Sequence, residues 1–204
     1  MFLVNNFIEL AQNPTVLATL IAIFLFIILF IYISKIKITV KMIVHIGLTI
    51  ALTVILHMIR IYHMPQGGSV TLGSMIPIIL LAYYYKPSVG YLAGFLYGLI
   101  NLIQDPFVIH PLQVIFDYPL PYMLLGIAGY FKKNIFLGAT LAIIARFCCH
   151  FISGIVFFGD YAPEGTSVYL YSFLFNITYL LPELIITLFI LYLLPIKRIF
   201  MSIK

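Results

Sequence analysis

The chain has 204 residues, of which 64% are apolar and 16% aromatic while only 8% are charged, against about 25% charged in an ordinary soluble domain. Six acids against eleven bases, spread through apolar sequence without a basic patch, exclude a nucleic-acid-binding module. A helix crossing ~30 Å of hydrocarbon takes roughly 20 residues, so membrane spans use up the chain and leave no room for a soluble catalytic or nucleotide-binding domain. Cys148 and Cys149 are adjacent and form no ligand spacing, so neither a disulfide framework nor a metal site is expected, and no cofactor is called for.

The first apolar run, Val16 to Ser34, lacks a basic region ahead of it and a small-residue cleavage pattern, and reads as a retained helix. Lys35, Lys37 and Lys41 end it. A second span is expected from Met42 to Tyr62, followed by the polar loop Gln66 to Gly73. The third, Ser74 to Tyr85, is short unless the loop before it dips into the membrane. Lys86-Pro87-Ser88 turns the chain into a fourth, Val89 to Gln104, and a Pro-broken connection leads to a fifth, Asp117 to Phe131, with Asp117 placed to cap its N-terminus. Ile135 to Phe158 and Val168 to Pro195 complete seven helices.

Orientation follows from charge, because cytoplasmic connections collect Lys and Arg. One set of connections holds Lys35, Lys37, Lys41, Lys86, Lys132, Lys133, Lys197, Arg198 and Lys204, nine of the eleven bases. The opposite set holds Glu9, Asp105, Asp160 and Glu164, with Asp117 at a helix mouth and Arg60 the one base nearby. The expectation is a multi-pass protein with its N-terminus outside and its C-terminus in the cytoplasm. The outer loops are long, Pro-rich and carry His and acids, as a lid over an external pocket would.

Two spans carry polar faces. In the sixth, Arg146, His150, Gly154 and Phe158 recur every four residues and share one side, and ionisable groups inside a membrane normally face the bundle interior or a wet cavity. In the seventh, Tyr171 and Phe175 share one flank, while Ser172, Asn176, Tyr179 and Glu183 line a face running almost through the membrane. Asn176 and Tyr179 equally suit interhelical hydrogen bonding, and Glu183 suits a structural or protonated role. Gly90, Gly94 and Gly98 form a small-residue stripe for internal packing on the fourth span. Gly47 and Ala51, near Thr53, give the second span a weaker small face close to its basic end, where a partner helix could dock. No nucleotide motif, nucleophile arrangement or paired-carboxylate metal site is visible.

Met64-Pro65-Gln66-Gly67-Gly68-Ser69, Gly73-Ser74-Met75-Ile76-Pro77-Ile78, His110-Pro111-Leu112-Gln113 leading to Asp117-Tyr118-Pro119-Leu120, the run Arg146 to Gly154, and Tyr171-Ser172 with Asn176 and Tyr179 together resemble the thiamine-binding S component of energy-coupling factor transporters. The resemblance covers about residues 41 to 195 in order. It implies an all-α integral membrane protein, not an enzyme: a six-helix substrate-binding domain over 41–204, preceded by an extra N-terminal transmembrane helix and basic linker over 1–40. It also implies a bacterial plasma membrane, and partners comprising a transmembrane coupling subunit and two cytoplasmic ATPases. Residue by residue, it implies that Asp117 lies near the thiazolium cation, that Tyr118, His150, Gly154, Tyr171 and Asn176 line the site, and that Arg146 pairs with the acid. Phe158 stands where Trp is expected, and the chain has no Trp. Gly47 and Ala51 match the coupling-subunit docking face. The alternatives are an S component for another heterocyclic vitamin, a proton-coupled secondary transporter using Glu183 or Asp117, and a membrane enzyme using His150 with Asp117. Lack of an obvious internal repeat weighs against the secondary transporter.

Overall fold

The structure, a computed structural model, describes residues 14–203. Glu9 and Lys204, used in the charge count, lie outside the described residues. In chain order the elements are α1 (Pro14–Ser34), α2 (Val40–Met58), β1 (Arg60–His63), β2 (Ser69–Thr71), α3 (Ile76–Tyr84), α4 (Pro87–Gln104), α5 (Pro111–Asp117), α6 (Pro119–Met123), a 3-10 segment (Leu124–Tyr130), α7 (Ile135–Phe157), a 3-10 turn (Gly159–Tyr161), α8 (Val168–Leu193) and α9 (Ile196–Ile203). Thr39, Asn134 and Ser167 start α2, α7 and α8 by accepting from Met42 N, Leu137 N and Leu170 N at 3.3, 3.1 and 3.3 Å. These three helices are each long and apolar enough to cross a membrane.

The expected second span is shorter than anticipated. The helix stops at Met58, and the chain enters a two-stranded antiparallel hairpin in which Tyr62 faces Val70 and His63 faces Ser69. Its turn requires Gly67 and Gly68, both at positive φ (86° and 92°). β2 then descends into the bundle: Val70, Thr71, Ser74 and Met75 are all buried. That descent explains why the expected third span is only the nine-residue α3, since the non-helical chain ahead of it covers part of the depth. Irregular backbone at such depth is tolerated where protein surrounds it.

The expected fifth span is likewise broken. His110 Nδ1 accepts from Leu112 N at 3.1 Å and Pro111 starts α5 early, so Asp117 is the last residue of a seven-residue helix rather than a cap. Pro119 disfavours helical backbone at Tyr118, and the chain restarts as α6 and the 3-10 segment. This segment seats on the glycine stripe of α4. A methyl group built on Gly98 would lie 2.6 Å from Pro119 Cα, on Gly94 2.8 Å from Met123 Cα, and on Gly90 2.7 Å from Gly126 Cα. The stripe is internal packing, as the sequence indicates, and it fixes the backbone that follows Asp117.

The main core joins α3, the 3-10 segment, α7 and α8, with Ile78, Ile79, Leu125 and Ala142 buried in it. α1 lies against α4 and α7; Phe26 and Phe30 meet Phe95 at 6.2 and 5.8 Å between ring centres, Tyr32 meets Tyr91 edge-on at 6.0 Å, and Leu29 is buried. At the basic end of the bundle Lys132 Nζ donates to the carbonyls of Ala82, Tyr83 and Tyr85 that close α3, and Phe200 of α9 stacks on Tyr83 at 5.6 Å.

Candidate ligand-binding cleft

Two of the three connections expected on the outer side line one cleft, and the third meets its wall through Tyr161, packed on Phe107 and Phe158. The cleft is walled by the hairpin turn at Gln66–Ser69, by Asp105 and Phe107 after α4, and by Phe158 at the end of α7. Its atom-free space, open mouth included, is about 730 Å³. Asp117, Tyr118, His150 and Gly154 all line it, as do Phe158, Tyr171, Asn176 and Arg146. The residues anticipated for substrate binding, with Arg146, therefore line one space, while Gly47 and Ala51, anticipated for docking, lie outside it.

The carboxylate of Asp117 is held from two sides. Gln113 Nε2 donates to its Oδ2 at 2.6 Å and His150 Nδ1 stands 3.3 Å from its Oδ1. Gln113, only 1% exposed, also donates to Phe107 O at 2.9 Å and accepts from Ile109 N at 3.2 Å. It thus ties the loop after α4 to the acid. Sequence reasoning missed Gln113; the signal available was its spacing four residues before Asp117 on one helix.

The expected direct pairing of Arg146 with Asp117 does not occur among the described residues. His150 stands between them: Arg146 Nε donates to His150 Nε2 at 3.4 Å. A ring nitrogen that accepts from Arg must be bare, so the neutral imidazole carries its proton on Nδ1 and donates it to Asp117. The guanidinium itself lies over the Tyr122 ring, 4.1 Å from its centre. Arg146 and His150 are one turn apart on α7, a spacing that lets Arg146 bond to the imidazole that itself reaches the acid on α5.

Aromatic rings complete the walls. Phe158 stacks on Phe107 (5.9 Å, 21°) and tilts against Tyr161 (5.8 Å). Tyr171 lies 5.9 Å from Phe175, and His150 meets Tyr179 edge-on at 6.1 Å. Tyr118 contributes its ring while its hydroxyl donates to Asp105 O at 3.0 Å and accepts from Phe107 N at 2.6 Å. Asn176 Nδ2 donates to Ser172 O and His150 O at 2.8 and 3.2 Å, and its Oδ1 accepts from Tyr179 at 2.9 Å. It knits α7 to α8 as well as lining the cleft.

Gly154 has a second duty. A side chain built on it would run into Ser172 Oγ and lie 2.8 Å from Ser172 Cβ, so it is a helix-contact glycine between α7 and α8, and Gly154→Leu would wedge those helices apart rather than simply fill the cleft. At the rim, Arg60 Nη1 pairs with Asp105 Oδ2 at 3.1 Å, which fastens the hairpin to the end of α4, and Ser69 Oγ meets His63 Nδ1 at 2.9 Å between the two strands. Across the cleft Asn101 Nδ2 donates to His57 Nε2 at 3.2 Å. None of these three pairs was singled out from the sequence.

With the rim acid Asp105 paired to Arg60, the arrangement leaves Asp117 as a carboxylate of fixed orientation facing the cleft, ringed by aromatic faces and by imidazole and amide groups. It suits a flat cationic heterocycle, whose charge meets Asp117 while its faces meet the rings. Among the described residues no group of His, Cys, Asp and Glu could hold a metal ion.

The family model described as thiamine transporter protein (Thia_YuaJ) matches residues 43–202. The chain belongs to this thiamine transporter family. As a family member it resembles the thiamine transporter ThiT of Bacillus subtilis (strain 168), with 36% identity covering 64% of this chain and 77% of that one. It resembles ThiT of Lacticaseibacillus paracasei with 34% identity, covering 50% of this chain and 61% of that one. Its fold is that of ThiT from Listeria monocytogenes, with a TM-score of 0.66 at 24% identity over 77% of this chain and 93% of the other. α1 lies before the matched residues.

Proposed function

We propose that the chain is the thiamine-capturing subunit of an ATP-driven uptake system, binding its substrate at the outer face of a bacterial plasma membrane. The observation that carries the reading is Asp117, whose carboxylate is oriented by Gln113 and His150 inside an aromatic cleft. The thiazolium lies against Asp117, and the aminopyrimidine stacks between Phe158 and neighbouring rings. The N-terminus is outside and the C-terminus in the cytoplasm, in keeping with the gathering of the Pro-rich loops around the cleft and of Lys132 at the far end. The substrate-binding domain over 41–204 is a six-helix S-component core, and α1 is an addition to it.

Having no nucleotide motif, the chain draws its driving force from a transmembrane coupling subunit and two cytoplasmic ATPases. The docking face is Gly47 with Ala51: both are exposed, and a side chain built on Gly47 meets nothing within 4 Å. A proton-coupled carrier has less support, because Glu183, its candidate proton site, is engaged through Oε1 with Thr71.

Titrating the purified chain with thiamine and with riboflavin tests the reading. Saturable binding of thiamine alone, needing no ion gradient, is the expected result, and riboflavin binding in its place overturns it. Within the same assay, Phe158→Trp is expected to hold or raise thiamine affinity, since the indole adds stacking area where Phe158 faces Phe107. A well-folded Phe158→Trp protein that binds worse would show a cleft shaped around the smaller ring.

A further inference from the structure

The β1–β2 hairpin is a non-helical wall of the cleft, and α8 holds it at two points. The turn rests on Tyr179: a side chain built on Gly68 would lie 2.9 Å from that ring. One helical turn further along α8 is Glu183, only 3% exposed. Its Oε1 accepts from the backbone N of Thr71 at 2.5 Å and from the Thr71 hydroxyl at 2.6 Å. Thr71 is the last residue of β2, buried in the bundle. Its hydroxyl accepts in turn from Ser74 N at 3.1 Å, which continues the tie into the turn before α3.

Strand backbone buried at this depth needs a partner for each N–H, and the hydrophobic residues around it supply none. A carboxyl on α8 does. Its second oxygen, Oε2, is buried with no hydrogen-bond partner among the described residues. A residue present only to fill the core would be apolar, since an unsatisfied buried polar atom is costly. The carboxyl is kept for the two bonds to Thr71.

We propose that Glu183 is a positioning residue that clasps the base of the β1–β2 hairpin, so that the hairpin stays closed over the cleft and sets how long a bound ligand remains. Its effect on residence rests on the thiamine reading above, whereas its effect on the hairpin does not. Glu183 touches no ligand; it acts through Thr71 and the strand that ends there. Because the carbonyl oxygen of an amide can accept the same two bonds, Gln at this position preserves the clasp, and a thioether of similar length removes it.

The test measures hydrogen exchange by mass spectrometry and thiamine dissociation by stopped flow on the full chain in nanodiscs. Glu183→Met is expected to raise exchange in residues 64–74 by about tenfold or more while α4 and α7 keep theirs, and to speed thiamine release by a similar factor with little change in association. Glu183→Gln is expected to behave like the parent. Thr71→Val, which removes the hydroxyl and leaves the backbone N–H, is expected to fall between them and decides the matter should Glu183→Met not fold. Unchanged exchange in 64–74, or a rise spread evenly over all helices, overturns the proposal. If the parent itself does not bind thiamine, the functional reading fails while the exchange measurement still judges the clasp.

Discussion

Asp117→Asn is expected to weaken thiamine binding by roughly 10- to 150-fold, the equivalent of about 1.5–3 kcal/mol for one charge-assisted contact. An analogue with an uncharged central ring should lose far less. Gln113 and His150 stand 2.6 and 3.3 Å from separate carboxylate oxygens, so the single amide oxygen of Asn can accept from only one of them and its NH2 faces the other. The charge is removed together with one of the two orienting bonds, and the uncharged analogue reads the second effect by itself. Calorimetric titration of both ligands against both proteins reads the difference directly. Equal losses for the two ligands would mean that Asp117 serves the loop after α4 and not the cation.

Leu at both Gly47 and Ala51 is expected to abolish ATP-driven uptake and co-purification with the coupling subunit while leaving thiamine affinity unchanged. Close approach of two helices in a membrane depends on small residues at the contact. Both positions are exposed, with open space around Gly47, so the added side chains strain nothing within the chain itself. The cleft draws on α2 only at His57, near the opposite end of that helix. Uptake assays in vesicles, paired with the binding titration, separate the two effects. Normal uptake would place the docking surface elsewhere on the chain.

The polar faces of the sixth and seventh spans were legible in the sequence because helical spacing alone lines up Arg146, His150, Gly154 and Phe158, and then Ser172, Asn176, Tyr179 and Glu183. The glycine stripe of α4 was legible for the same reason. What one-dimensional periodicity cannot encode is a partner chosen across the bundle. Hence the pairing of Arg146 with Asp117 that the resemblance implies gives way to His150 on the same helix, and the contact of Gly154 with Ser172 of α8 has no signal in the spacing. The hairpin escaped notice because the run Met42 to Tyr62 reads as one span with β1 at its end, and only the glycine pair at the turn marks the reversal. The break at Asp117 escaped because Asp before Tyr-Pro suits a helix start as well as a helix end, and the earlier Pro111 with its His110 cap decides between them.

One feature of α2 joins the two ends of the molecule. Its 19 residues make a rod of about 28 Å at ~1.5 Å per residue, and Ile59 alone separates it from β1. A lever of that length tilted by about 10° about its Val40 end carries its other end some ~5 Å sideways. That is further than any bond between the hairpin and α8 can stretch, the two to Thr71 being 2.5 and 2.6 Å. A body leaning on the exposed Gly47–Ala51 face therefore has mechanical purchase on the cover of the cleft, without touching the cleft at all.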